Sequence, residues 1–478
     1  MAEKRDLVMD VINATNLVQS FSEVFKQQFE NTAEDASPFF QNERKKAFQN
    51  FEKYGFPQKN MENWRNTDLS KALSENYTLF TSQPDPKLDI DTIFKCNVPH
   101  FETLLLSTLN GWYVSNHGAL QTLDNGVVYG SMRAAAKEYA PLVEKYFRTA
   151  LNDSKEGLIH LNTAMMQDGI FIYVPANVSV DKTFQMVSLI NTQENVFLNQ
   201  RNLIILGENS HLRLAQCDES INNGTTFINS VTEIFMDKSS TLDHYKLQNK
   251  DDKTTLINST YFVQQQGSVL NTNAITLNGA LVRNYSNVQL LGSHSEANVY
   301  GLYLMDKEQH VDNQVFIHHA VPECQSNELF KGVLDDQASA VFNGHILVAR
   351  DAQQTNAYQT NRNILLTDKA IIDTKPFLEI YADDVKCSHG ATIGQLDAEA
   401  MFYIRSRGIS EASAKIMLMY AFAAEVLNKI SIEELRTRMD DMVKKRLRGE
   451  LSNCEQCVLN CSNKENKKIN FAIDMSKI

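Results

Sequence analysis

NSHL (Asn209–Leu212), SSTL (Ser239–Leu242), GSVL (Gly267–Leu270), SEANV (Ser295–Val299), QASAV (Gln337–Val341) and DKAI (Asp368–Ile371) are six versions of one phrase, a polar turn handing over to an apolar strand. Each delivers an inward candidate: Leu212, Leu242, Leu270, Val299, Val341 and Ile371. The interval is about thirty residues apart from one longer gap, and a fixed period of that size marks a stacked solenoid. A parallel β-helix fits best, because each coil pairs with its neighbours and leaves open edges only at the two ends. The competing architecture, a two-sheet sandwich, places hairpins about every ten residues, a shorter spacing than this one.

Outside the repeat the periodicity turns helical. Leu17, Phe21, Val24 and Phe25 share one helix face, and Ser37-Pro38 starts a second helix carrying Phe48, Phe51 and Tyr54 that Gly55 stops. Asn110-Gly111 between two strand-like runs signals a hairpin. Helical patterning returns over Met132–Phe147 and Leu158–Met166, before Asp168-Gly169 turns the chain into a strand, Ile170–Val174. After the repeat, Ser410 opens a helix with Ile416, Met417, Tyr420, Ala421 and Ala424 along one side, and Ser431 with Glu434 forms a capping box for the next. Met417, Met419, Ala421 and Phe422 read as its core face. The predicted fold is mainly β: a right-handed parallel β-helix core over 151–390, between a mostly helical N-terminal domain (1–150) and a C-terminal helical domain (391–450), with a flexible cysteine-containing tail (451–478). The flanking helical segments are expected to cap the solenoid.

The chain has 478 residues, 43% of them hydrophobic, and a formal charge of −12. That is length enough for a large core, and no basic stripe is available for a nucleic acid. MAEKRDLVMD puts charges where a signal peptide needs an apolar core, and no run reaches the length of a spanning helix, so neither export nor membrane insertion is expected. Seven cysteines, with Cys96, Cys217, Cys324 and Cys387 isolated in sequence, suit the reducing cytoplasm better than a disulfide framework.

The chemistry gathers where the repeat ends, in DDVKCSHGATIGQLDAEAMFYIRSRGI (Asp383–Ile409). Cys387 and His389, two apart on an extended chain, project to one side and Ser388 to the other. Gly390 and Gly394 are expected to break the strand, and Asp397 to cap a helix that Gly408 ends. At neutral pH about three quarters of unperturbed imidazoles are neutral and able to ligate a metal, against a few per cent of thiols as thiolates. His389 is therefore ready to bind metal, and Cys387 must first lose a proton. A lone C-x-H pair is also what a buried thiol beside a carbonyl-capping histidine looks like. His318 and His319 face opposite ways on a strand and read as structural. In the tail, Cys454, Cys457 and Cys461 (C-x2-C-x3-C) offer three soft ligands for zinc or part of a cluster, with the fourth missing; an unstructured reduced tail is the equal alternative.

Leu378–Ile409 resembles the C-terminal core of the SufD-type members of the SufB/SufD iron–sulfur assembly family. Gly55–Ser70, with Trp64 and Thr67-Asp68-Leu69, is similar to that family's N-terminal segment, as are Leu161–Pro175, Lys331-Gly332 and Ala352–Gln359 to its core. The resemblance implies a non-catalytic scaffold of the SUF system: a heterodimer with SufB through β-helix edges, docking of the SufC ATPase on the C-terminal helical domain, and a transient iron–sulfur cluster with His389, and Cys387 assisting, among its ligands. It leaves room for iron or reduced flavin passing through the complex, for no stably bound cofactor, and for a homodimer in isolation. In keeping with that role the chain carries no G-x-x-x-x-G-K-[ST] phosphate loop and no G-x-S-x-G nucleophile motif. The rival readings are a SufB-like paralogue and, from another class, a β-helix polysaccharide-acting enzyme, which usually works outside the cell.

Overall fold

The structure, a computed structural model, describes residues 9–12, 16–29, 38–81, 83, 103–151, 154–220 and 224–451. From Ile170 onward successive strands alternate between two sheets, so one coil is one strand of each, and about eight coils stack. Pairing between coils is parallel and, apart from one shift between Gln248 and Asn249, in register, as in Leu212↔Leu242↔Leu270↔Ala297. One sheet ends on Ile371–Ile380, the other on Val385–Gly394.

The repeat is legible because strand side chains alternate faces. Leu212, Leu242, Leu270 and Val299 lie in the apolar interior as expected. Val341 and Ile371 do not: Phe342 and Ile372 point inward beside them, and Ile371 is 58% exposed. The solenoid has two corners per coil, and the phrases up to SEANV mark one of them. QASAV and DKAI mark the other, so the longer gap is one and a half coils rather than a distended one. The two corners enter their strands one residue out of step, which reverses every face downstream.

Helices cover the outer faces of both sheets. Pro38–Tyr54 and Gly157–Met165 bury Phe48, Phe51, Leu158 and Leu161 against Phe197, Phe227 and Ile257 of the first sheet. Trp64 is 3% exposed within this layer. On the other side Glu411–Leu427 and Glu433–Leu447 bury Met419, Ala423, Val426 and Met439 against Tyr245, Leu247, Leu302 and Val333. Each large side chain so buried contributes about 1.5–3 kcal/mol. Of the expected core face of the first of these helices, Met419 is buried and Phe422 packs against the cluster, while Met417 is exposed. The capping box is absent as well: Ile432 is the N-cap, and the Ser431 hydroxyl is 2.7 Å from the Tyr245 hydroxyl instead.

The first coil is extended by Thr103–Leu109, parallel to Thr183–Ile190, which turns through Asn110 (φ 50°) and Gly111 (φ 86°) into Trp112–Val114. Both central residues in the left-handed region are what a two-residue hairpin of this twist requires. The other end is different. Among the described residues neither Ile371–Ile380 nor Val385–Gly394 has a further strand beyond it, and the helix Ala398–Ser406 that follows has no buried residue. The helices therefore lie along the solenoid without capping its last coil.

Candidate functional site at the open end of the solenoid

The last strand is held by a complete parallel ladder to Thr355–Leu365, in which Cys387 faces Ala357, Ser388 faces Tyr358 and His389 faces Gln359. Gly390 continues that ladder opposite Thr360, and the strand ends only at Gly394, contrary to the expected break. Glycine weakens a strand by its entropy, and here the bonds to the preceding coil outweigh that cost. Asp397 then caps Ala398–Ser406, accepting from the Glu399 and Ala400 amides at 2.9 and 3.1 Å, and Gly408 follows at φ 86°.

The period of two places Cys387 and His389 on one face, Cα atoms about 7 Å apart. That face is the inner one. Cys387 is half-buried against the apolar interior, and Ala357 and Gln359 beside the pair are buried. Burial pushes the Cys387 thiol up, against a hydrogen bond with the Ala357 backbone, so it keeps its proton at neutral pH. His389 is exposed at the rim. The arrangement is one accessible imidazole and one thiol that must be deprotonated to ligate. No group of three or more His, Cys, Asp or Glu able to hold a metal occurs among the described residues. One imidazole and one thiol are chemically suited to iron, and to hold a cluster the pair would need further donors from elsewhere. Cys454, Cys457 and Cys461 lie outside the described residues, as does Cys96.

His318 and His319 are structural, as their adjacency on a strand suggested. His319 is fully buried with Nε2 2.8 Å from Ser326 Oγ, and burial pulls it down to about 3. His318 faces the other way, its Nδ1 2.9 Å from Gln289 Oε1. Cys324 is buried in the core, so the three do not form a site.

Behind His389 lies a polar row that the sequence reading missed. Gln359 Nε2 donates to Glu328 Oε2 at 2.9 Å, and burial pushes the Glu328 carboxyl up to about 8, against that hydrogen bond. Both side chains point into the solenoid, where Gly344 makes the room: a Cβ there would stand 2.1 Å from Gln359 Nε2. The available signal was a Glu at an inward strand position between Ser326 and Phe330. Farther along, Tyr303, Asn361, Asn363 and Thr374 form a second internal network, with Gly332 leaving space for the Tyr303 ring.

Around the rim several large apolar side chains are exposed among charged neighbours such as Asp383, Asp384 and Lys386. Ile371, Tyr381, Ile393 and Tyr358 are exposed on the last two coils. Phe402 is 74% exposed on the helix just after the last strand, with Tyr403 beside it. On the outer face of the second sheet, Lys331 is buried under the C-terminal helices, donating to the Phe422 carbonyl at 3.0 Å and pairing with Glu425. No described helix is long and apolar enough to cross a membrane.

Comparison with known proteins gives this geometry a family. Residues 189–422 match the SufBD core domain of the SUF system for iron–sulfur cluster assembly, and residues 15–186 match the SufBD N-terminal region. An iron–sulfur cluster assembly SufBD family protein of Synechocystis sp. is 28% identical over 447 residues, covering 92% of this chain and 97% of the relative. The iron–sulfur cluster assembly protein SufD of Escherichia coli is 26% identical over 449 residues, covering 91% and 98%. SufD of Bacillus subtilis is 25% identical over 327 residues, covering 68% and 75%. With its helical N-terminal layer and its solenoid both matched, and with relatives aligned along nearly their whole length, the chain belongs to the SufBD family of iron–sulfur cluster assembly proteins.

Proposed function

We propose that this chain is a non-catalytic, SufD-type scaffold subunit that pairs with a SufB-type subunit through the open end of its solenoid and contributes His389, assisted by Cys387, to the ligands of a transient cluster. The observation that carries the reading is the last coil, which no strand or helix among the described residues covers. Two parallel edge strands with unsatisfied backbone groups and exposed Ile371, Tyr381 and Ile393 are a template for another chain. The same edge carries the imidazole.

A SufC-type ATPase docks on the C-terminal helices in this scheme, where Phe402, Tyr403 and Met417 are exposed. The cluster is cargo: two donors from one subunit hold it weakly, which suits release to a recipient. Protein motion driven by the ATPase reaches the ligand edge through Lys331, whose strand lies two ladder steps from His389. The chain itself hydrolyses nothing.

The test is reconstitution with SufB- and SufC-type partners. His389→Ala is expected to leave the complex intact by size-exclusion chromatography while cluster formation, followed by visible absorption and Mössbauer spectroscopy, falls several-fold. A normal cluster yield from that variant removes His389 from the ligand set.

A further inference from the structure

Gln359 and His389 occupy facing positions on adjacent parallel strands and project to the same, inner side. Neighbouring strands lie about 4.8 Å apart, so side chains at facing positions are within hydrogen-bonding reach of each other. Gln359 is 2% exposed, and its Oε1 is buried without a hydrogen-bond partner. A buried amide oxygen left unmatched costs about 1–3 kcal/mol, yet the fold is built to keep this amide in place. Its Nε2 is engaged by Glu328 Oε2, and Gly344 supplies the volume it fills. The nitrogen side being taken, the orientation is fixed and the oxygen is the free end. Glu328 is itself fully inside and held neutral by burial, so it anchors the amide without placing a bare charge in the interior.

A histidine that ligates a metal almost always donates its other ring N–H to an acceptor, which fixes the tautomer and raises the basicity of the ligating nitrogen. We propose that Gln359 is the positioning residue for His389: its Oε1 accepts one imidazole N–H, and the opposite ring nitrogen is left as the lone pair offered to iron. Glu328 and Gly344 serve this arrangement, the first by holding the amide nitrogen and the second by its missing side chain. The row Glu328, Gln359, His389 then runs across three successive coils from the interior to the rim. The functional meaning of the contact rests on the reading of His389 as a cluster ligand, whereas the hydrogen bond itself does not.

The experiment separates the two. In the chain labelled with 15N-histidine, long-range 1H–15N spectra report the tautomer of His389, identified by the signal missing from His389→Ala. The wild type is expected to show one dominant tautomer, Gln359→Met a mixture of both, and Gln359→Glu, which keeps an acceptor oxygen at the same reach, the wild-type pattern. Thermal melting of the Met variant within a few degrees of the wild type establishes that its fold is intact; should it unfold, the wild-type spectrum and the Glu variant still decide. In the reconstituted complex Gln359→Met is expected to lower cluster yield several-fold and Gln359→Glu to restore it. A mixed tautomer already in the wild type, or an unchanged one in Gln359→Met, overturns the proposal even where His389→Ala is defective. Normal cluster yield from His389→Ala with an altered tautomer in Gln359→Met overturns the ligand reading and leaves the hydrogen bond standing.

Discussion

Thr67 Oγ1 donates a 2.5 Å hydrogen bond to Asp312 Oδ2, tying the Thr67-Asp68-Leu69 run of the N-terminal region to a strand of the solenoid. The same carboxylate pairs with Arg283 and accepts from Gln314 Nε2 at 2.7 Å, and the Arg283 guanidinium lies 3.9 Å from the centre of the Trp64 ring. All are buried. Asp312→Ala strands a guanidinium in the interior and is expected to cost about 3–5 kcal/mol. Thr67→Val removes one donor of several and costs about 1 kcal/mol. Urea unfolding of the two variants measures the difference; equal losses would mean that the ion pair is not what holds this joint.

Glu328 makes stability fall with rising pH. Its folded carboxyl titrates near 8, while the unfolded chain releases that proton above about pH 4.5, so between these values the folded state binds more protons. Stability contributed by the neutral acid is full below about pH 4.5 and declines by several kcal/mol up to about pH 8. Glu328→Gln, which keeps the shape and the acceptor oxygen, is expected to raise the melting temperature at pH 8 and to change it little at pH 5. A shift that is the same at both values contradicts the buried neutral acid.

Buried histidines set the acid limit by the opposite sign. His310 is pulled down to about 4, by burial first and by Arg283 second, and His319 to about 3 by burial with His318 adding to it. The unfolded chain takes up protons below about pH 6.5 that these folded rings refuse, so stability is lost from there down to about pH 4 for His310 and about pH 3 for His319. His319→Gln is expected to flatten the acid side of the curve of melting temperature against pH, and an unchanged slope would show that His319 does not resist protonation.

Lys331 joins the C-terminal helices to the strand that carries Glu328. It loses three partners at once in Lys331→Met: the Phe422 carbonyl, the Glu425 carboxylate and the Phe422 ring at 4.3 Å. Amide exchange within Glu411–Leu427 is expected to quicken about tenfold, which corresponds to about 1.4 kcal/mol of local protection. Exchange at the wild-type rate would place the anchor of that helix elsewhere.

The exposed rim separates pairing from folding. Ile393→Lys and Ile371→Lys alter side chains already in solvent and are expected to change stability by no more than about 0.5 kcal/mol. Charges on an open edge oppose strand addition, so each should weaken association with a SufB-type subunit at least tenfold by light scattering or calorimetry. Undiminished association would move the contact away from the last coil.

Much of this was legible in one dimension. The turns at Asn209, Ser239, Gly267 and Ser295 announced the solenoid, Asn110-Gly111 its hairpin and Asp397 the start of the helix after it, because these depend on local backbone preference and a fixed period. Leu378–Ile409 announced the family. Val341 and Ile371 were misassigned because a repeat with two corners offers two reading frames, and only strand pairing tells them apart.

Local sequence, then, determined which residues are strands, which turn, and that Cys387 and His389 share a face, since alternation along an extended chain needs no knowledge of anything distant. Only the folded chain decided that this face turns inward, that no later helix among the described residues covers the coil bearing it, and that Gln359, Glu328 and Gly344 stand behind the imidazole. Those facts arise from contacts between coils about thirty residues apart and from which surfaces the helices leave bare, relations that exist only once the ladder has been laid down.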